Sequence, residues 1–238
     1  MLRSWIPEDK LIFSCLCRNP HPSAISMIER EPEKIVWCNL TVNPNAVHIL
    51  EKNPDKIVWN LLSKNENAVH LLEREPERVD WIRLSQNPNA IRLLEREPEK
   101  IVWWCLSMNP NAIHLLYNAI KTEPEKICWW SLSENPNAMH IIEQNPEKYD
   151  SYHLCLNPNA IHIIEQILEK TPHKINWGFL SMNPNAIHIL EKNQDKINWD
   201  NICLNPNAIS ILEQNQDRVD WEYLSRNPAI FEEDYACK

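Results

Sequence analysis

The sequence predicts an all-α fold: an α-solenoid of about ten 22-residue repeats, each with two short helical elements. Three observations carry this expectation. The tetrapeptide NPNA or a close variant recurs along the whole chain, a tryptophan precedes most copies at a fixed distance, and one glycine stands against eighteen prolines. Sheet proteins and nucleotide-binding loops draw on glycine for tight turns and close backbone approach, so here proline sets the punctuation.

Taking the first Asn of each copy as an anchor gives Asn19, Asn43, Asn65, Asn87, Asn109, Asn135, Asn157, Asn183, Asn205 and Asn227. Consecutive anchors lie 24, 22, 22, 22, 26, 22, 26, 22 and 22 residues apart. A short period over nearly the whole chain marks a stacked architecture, in which each unit buries its apolar face only against its neighbours. This implies a single repeat domain over residues 1–238. The first copy (residues 1–30, with its NPHPSAI insertion) and the shortened last copy (residues 216–238) are expected as caps with water-tolerant outer faces.

Within a copy such as Asn43-Pro44-Asn45-Ala46, the Asn reads as an N-cap with proline at the first helical position. Ala46, Val47, Ile49 and Leu50 then supply a buried helical face. This trailing helix stops near Glu51-Lys52, where Asn53-Pro54 opens the next element. That element runs to a tryptophan six residues before the following anchor: Trp37, Trp59, Trp81, Trp103, Trp129, Trp177, Trp199 and Trp221, with Phe13 in the first copy. Asp80, Asn176, Asn198 and Asp220 directly precede their Trp and can cap a brief helix starting there, so a proline-initiated turn followed by a short leading helix is expected. Such helices are too short to persist alone, and stacking of the Trp and aliphatic columns must hold them. The Ile-Val-Trp segments are also good strand material, and a strand there would make an α/β solenoid of leucine-rich-repeat type.

A basic residue stands nine places before every anchor, from Lys10 to Arg218. A cation in a first helical turn opposes the macrodipole, which suggests a stem packed over the ring of the Trp three residues on. A second column, His48, His70, His114, His140, His162 and His188, reads as a solvated or partly packed face, with pH response as the sharper option. Stacked helices about 8–10 Å apart place neighbouring histidines poorly for one zinc. The eight cysteines contain no CxxC pair and read as reduced thiols. Cys17, Cys155 and Cys203 replace the serine of the LS dipeptide, where small size is the expected requirement.

The formal charge of −9 argues against a broad footprint for nucleic acid or an anionic membrane. No signal-type segment or long apolar run is present, so a soluble, cytoplasmic protein is expected. No phosphate loop, GxSxG, HExxH or nucleophile–base spacing occurs, and neither an enzyme, a metal site nor a cofactor is expected.

The patterns WWCLSMNPNAIHLL (103–116) and WGFLSMNPNAIHILE (177–191) resemble a short helical repeat abundant in proteins of giant DNA viruses, over nearly all of residues 5–231. The resemblance implies a viral setting, in host cytoplasm or virion, and a repeat scaffold; it supplies no reaction. More distantly, the pattern is similar to the variant leucine-rich repeat, which implies short-helix layers.

The departures from the repeat locate the candidate site. Four-residue insertions after the trailing helices of Asn109 and Asn157 continue the apolar spacing and each imply one added helical turn. The column after the repeat Trp reads Ser14, Cys38, Asn60, Ile82, Trp104, Trp130, Tyr152, Gly178, Asp200 and Glu222, with three aromatics in successive layers. Ser151 stands where the Trp is due, and His153 and Phe179 occupy the next variable column. Clustered aromatics on a variable face point to partner binding through Trp104, Trp130, Tyr152, His153 and Phe179, against local repacking of the interior as the plainer reading. The favoured function is a non-enzymatic protein–protein interaction scaffold whose partner carries basic patches. The rivals are a modular single-stranded nucleic-acid reader and a structural virion component.

Overall fold

The computed structural model describes residues 1–232. Among these residues there is no strand, and the one sheet-like pairing is an isolated antiparallel bridge between Leu2 and Phe231. The second repeat shows the unit. A single 3₁₀ turn, Pro32–Lys34, leads through extended Ile35 and Val36 into a leading helix, Trp37–Thr41. A second 3₁₀ turn, Pro44–Ala46, then opens the trailing helix Val47–Lys52. The side chains of Asp80, Asn176, Asn198 and Asp220 accept amide hydrogen bonds two to three residues on, capping their leading helices as expected. The insertions add one turn each: Ile113–Thr122 and Ile161–Lys170 run ten residues, against six for Val47–Lys52.

The Ile-Val segment is extended but pairs with no strand. Its second amide is taken by a side chain of the preceding repeat: Val102 N donates to Ser85 Oγ at 3.0 Å, and Asp150 N to Ser133 Oγ at 2.9 Å. The same serine donates back to the Trp carbonyl one turn earlier, as Ser133 Oγ does to Trp129 O at 2.8 Å. This position therefore needs a group that donates and accepts, and small size alone is not the requirement. Cysteine satisfies it: Cys203 Sγ donates to Trp199 O at 3.1 Å, and burial pushes its thiol up to about 11, which keeps the proton in place.

A stronger rail runs through the anchors, each of which is buried. Asn109 Oδ1 accepts from Asn111 N at 3.0 Å, capping the turn as the sequence implies. Its Nδ2 group crosses to the preceding repeat and donates to Ser85 O at 3.0 Å and Asn87 O at 2.9 Å. Every anchor repeats this pair, and Asn19 makes it with Ser225 O at 3.1 Å and Asn227 O at 2.9 Å. The solenoid is therefore closed into a ring.

The serine rail closes at the same joint, with Ile12 N donating to Ser225 Oγ at 2.8 Å. Arg3 N donates to Ile230 O at 3.0 Å, and Glu232 N to Met1 O at 2.7 Å. The expected caps are thus each other's neighbours. A layer whose apolar face meets another layer needs no water-tolerant surface. Glu233 to Lys238, including Cys237, lie outside the described residues.

Leucines such as Leu40, Leu50, Leu106 and Leu116 are fully buried between layers, while the repeat Trp rings are half-buried against this core. The basic column packs differently from the expectation. Arg78 lies 4.6 Å from the ring of Trp59, Lys100 4.8 Å from Trp81, and Lys126 4.9 Å from Trp103. Each cation thus covers the Trp of the preceding repeat and not its own, because the extended dipeptide carries its own Trp away from it. Lys100 and Lys126 also pair with Glu97 and Glu123. The histidines likewise bridge layers: His70 Nε2 lies 3.0 Å from Glu51 Oε1, and His114 Nε2 2.9 Å from Glu95 Oε1. His140 meets Tyr117, which stands where that glutamate would be, at 6.2 Å between ring centroids.

Two outcomes follow from this construction. Asn109→Ala strips two donors from buried carbonyls and removes a cap, and urea unfolding should show a loss of about 2–4 kcal/mol. Asn111→Ala, which removes one exposed hydrogen bond to Pro88 O, should lose about 1 kcal/mol or less. A circular permutant joining Glu232 to Met1 through a short linker and opened at Glu97–Pro98 should keep its helical circular dichroism and cooperative melting. An open solenoid cut inside its central layers would lose both.

Candidate functional site

The residue after each repeat Trp sits in the first turn of the leading helix and points away from the layer interface. In four successive layers it is large, apolar and exposed: Ile82 at 50%, Trp104 at 43%, Trp130 at 41% and Tyr152 at 48%. These aromatics are surface groups, so repacking of the interior around Ser151 does not account for them. Trp104 and Trp130 stack with centroids 6.1 Å apart and planes 29° apart. Trp130 then meets the His153 ring at 5.0 Å, and His153 meets Phe179 at 5.7 Å, both tilted. Four of the five residues singled out by sequence thus form one ring-to-ring chain across four repeats. Tyr152 is on the same face, without ring contact to the others among the described residues.

Two carboxylates frame the half-buried His153. Asp150 caps the helix Ser151–Leu154 by accepting from His153 N at 3.0 Å, and its Oδ1 lies 2.9 Å from His153 Nδ1. An ionised carboxylate only accepts, so Nδ1 carries the proton and the ring is fixed in orientation. The other ring nitrogen faces Glu134, with Nε2 and Oε1 3.9 Å apart. Glu134 follows Trp130 by four residues on the helix Trp129–Glu134 and therefore shares its face.

The two acids are driven in opposite directions. Burial pushes the Glu134 carboxyl above the usual carboxylate range, against the pull of His153. Burial also acts to raise Asp150, but the hydrogen bonds from the His153 amide and ring outweigh it and hold Asp150 below its ordinary value. Asp150 is thus the orienting anion, and Glu134 is a carboxylate without full compensation.

Sequence reasoning missed Ile82, Asp150 and Glu134 as parts of this surface. A signal for Glu134 was present: the column before the anchor reads Arg18, Val42, Lys64, Gln86, Met108, Glu134, Leu156, Met182, Leu204 and Arg226, and Glu134 is its one acid. The equivalent Gln86 reaches across the corresponding interface between its own repeat and the next, and donates to Cys105 Sγ at 3.5 Å. A recess of about 650 Å³ lies elsewhere, at the closing joint, where Ala229 and His21 replace the second Asn of the motif. It contains none of the site residues. No group of residues suited to hold a metal ion occurs among the described residues, and no helix among them is long and apolar enough to cross a membrane.

Fold and surface together define a closed all-α repeat ring bearing one exposed aromatic arc. Compared with protein-family models, with curated proteins and with solved structures, the chain matches none.

Because the folded-state pKa of Glu134 is raised, this group favours the fold most when protonated, and its contribution falls as pH rises through that raised pKa. Asp150 has the opposite sign: its contribution is present above its unfolded pKa and is lost as pH falls through the depressed folded value. Glu134→Gln should therefore melt at or above the wild-type temperature at pH 7, with the advantage shrinking to nothing under acid conditions where Glu134 is protonated. Thermal melts across the carboxylate range check this.

Proposed function

We propose that the protein is a non-enzymatic interaction scaffold that docks a protein partner on the arc of Ile82, Trp104, Trp130 and Tyr152. The observation that carries this reading is the contrast along one column. Four successive layers expose large apolar side chains where the remaining layers carry Ser14, Cys38, Asn60, Gly178, Asp200 and Glu222. Exposed apolar surface is unfavourable in water unless something covers it, and stacked aromatics are the usual centres of binding energy at protein interfaces. The ring supplies a rigid frame, since each layer is hydrogen-bonded on both sides.

The single-stranded nucleic-acid reading loses support from its own lysine column, whose cations largely sit over Trp rings or beside carboxylates. The likeness of the repeat unit to those of giant DNA viruses supports a viral setting for the scaffold.

The test compares wild type with a Trp104→Ala/Trp130→Ala/Tyr152→Ala variant, both first shown to be folded by circular dichroism and melting. Wild type should capture from the native or infected-cell lysate a protein that, once purified, binds it directly and binds the variant at least about tenfold more weakly. Equal binding by both proteins would overturn the reading. Low-salt RNA binding lost in the variant and steeply weakened by salt would replace it with the nucleic-acid alternative.

A further inference from the structure

We propose that the arc recognises an arginine in an exposed, extended segment of its partner. The guanidinium would lie on the Trp104–Trp130 pair, with the Glu134 carboxylate as its counter-charge. This inference rests on the docking reading above and names the chemistry that such docking selects.

The ring itself shows what its tryptophans accept. Arg78 lies over Trp59, Lys100 over Trp81, Lys126 over Trp103, Lys148 over Trp129 and Arg218 over Trp199, all at 4.6–4.9 Å. Trp104 and Trp130 belong to the next column, and among the described residues no Lys or Arg of the chain lies over their rings. Their faces are the same chemical surface with the cation left to another molecule.

Beside them is an anion with too little to neutralise it. Glu134 is half-buried one helical turn from Trp130, and the nearest group that could carry a positive charge is His153, at the long distance of 3.9 Å. His153 is already committed to Asp150 through its other nitrogen. An apolar partner closing over the arc would desolvate Glu134 further with nothing in return, and a phosphate would be repelled by it and by the net charge of −9. A basic side chain removes both difficulties.

Arginine fits better than lysine. Its planar guanidinium stacks on indole while presenting paired donors to a carboxylate, whereas an ammonium is a compact, strongly hydrated point charge. The raised carboxyl of Glu134 agrees with this geometry, since a carboxylate held at a cost to the empty ring is one that a bound cation would relieve.

The test titrates a short end-blocked glycine–serine peptide carrying arginine, and its counterpart with the neutral isostere citrulline, against the full chain at pH 7 and low salt. The side-chain indole resonances are read by NMR, with Trp104→Phe and Trp130→Phe assigning the two signals. The arginine peptide should shift both indoles saturably, and citrulline should bind at least about tenfold more weakly. Glu134→Gln, confirmed as folded by its melt, should weaken the arginine peptide by about tenfold. Equal binding of arginine and citrulline, shifts confined to other indoles, or no shift at millimolar arginine peptide would each overturn the inference. The two readings fail separately. If the peptides are not distinguished but the triple variant still loses its protein partner, docking stands and arginine recognition falls. If the arginine peptide is selected but the triple variant keeps its partner, the surface chemistry stands and docking falls.

Discussion

The structure depends on one side-chain amide used in three directions. At each anchor the Asn oxygen caps the turn that follows, while its two N–H groups reach back to two carbonyls of the preceding layer. Asparagine alone among short side chains offers an acceptor and two donors from one planar group. Aspartate would keep the cap but set a carboxylate against two carbonyl oxygens, and serine would bring one donor where two are needed. A buried acceptor left unsatisfied costs about 1–3 kcal/mol, which is enough to hold this position fixed while its neighbours drift.

Fixing the backbone this way explains how helices of four to six residues survive, since none would persist in water alone. The Asn and Ser rails bind layer to layer and the leucines fill the space between. The cation–ring and His–Glu pairs then cover the surface of the same interfaces. Because the rails close between Asn19 and Ser225–Asn227, each layer among the described residues has a neighbour on both sides. Residues that serve neither rail nor core are free to vary, and the aromatic column falls among them, whereas the two added turns bury Ala119 and Ile167 in the core.

At the arc two carboxylates meet opposite surroundings. Asp150 accepts hydrogen bonds that favour its charge and hold His153 rigid, whereas Glu134 is buried beside an aromatic surface that offers it little. A sequence selected for ring stability alone would place an uncharged residue here, as the other nonbasic members of that column do with Val42, Gln86, Met108, Leu156, Met182 and Leu204.

The sequence by itself determined the unit: its period, its two helices, the capping Asp and Asn residues before Trp, the extra turns, and the aromatic column that proved exposed. All of these depend on local spacing, propensity and comparison between copies, which are properties of short stretches of chain. Only the tertiary structure decided that the ring closes, that Arg78, Lys100, Lys126, Lys148 and Arg218 cover the preceding Trp and not their own, and that Glu134 joins Asp150 at His153. Closure depends on the small rotation between successive layers summed over ten repeats, and contacts between layers depend on how far an extended dipeptide carries the chain. Neither quantity is encoded in any one repeat; both arise from how ten of them pack.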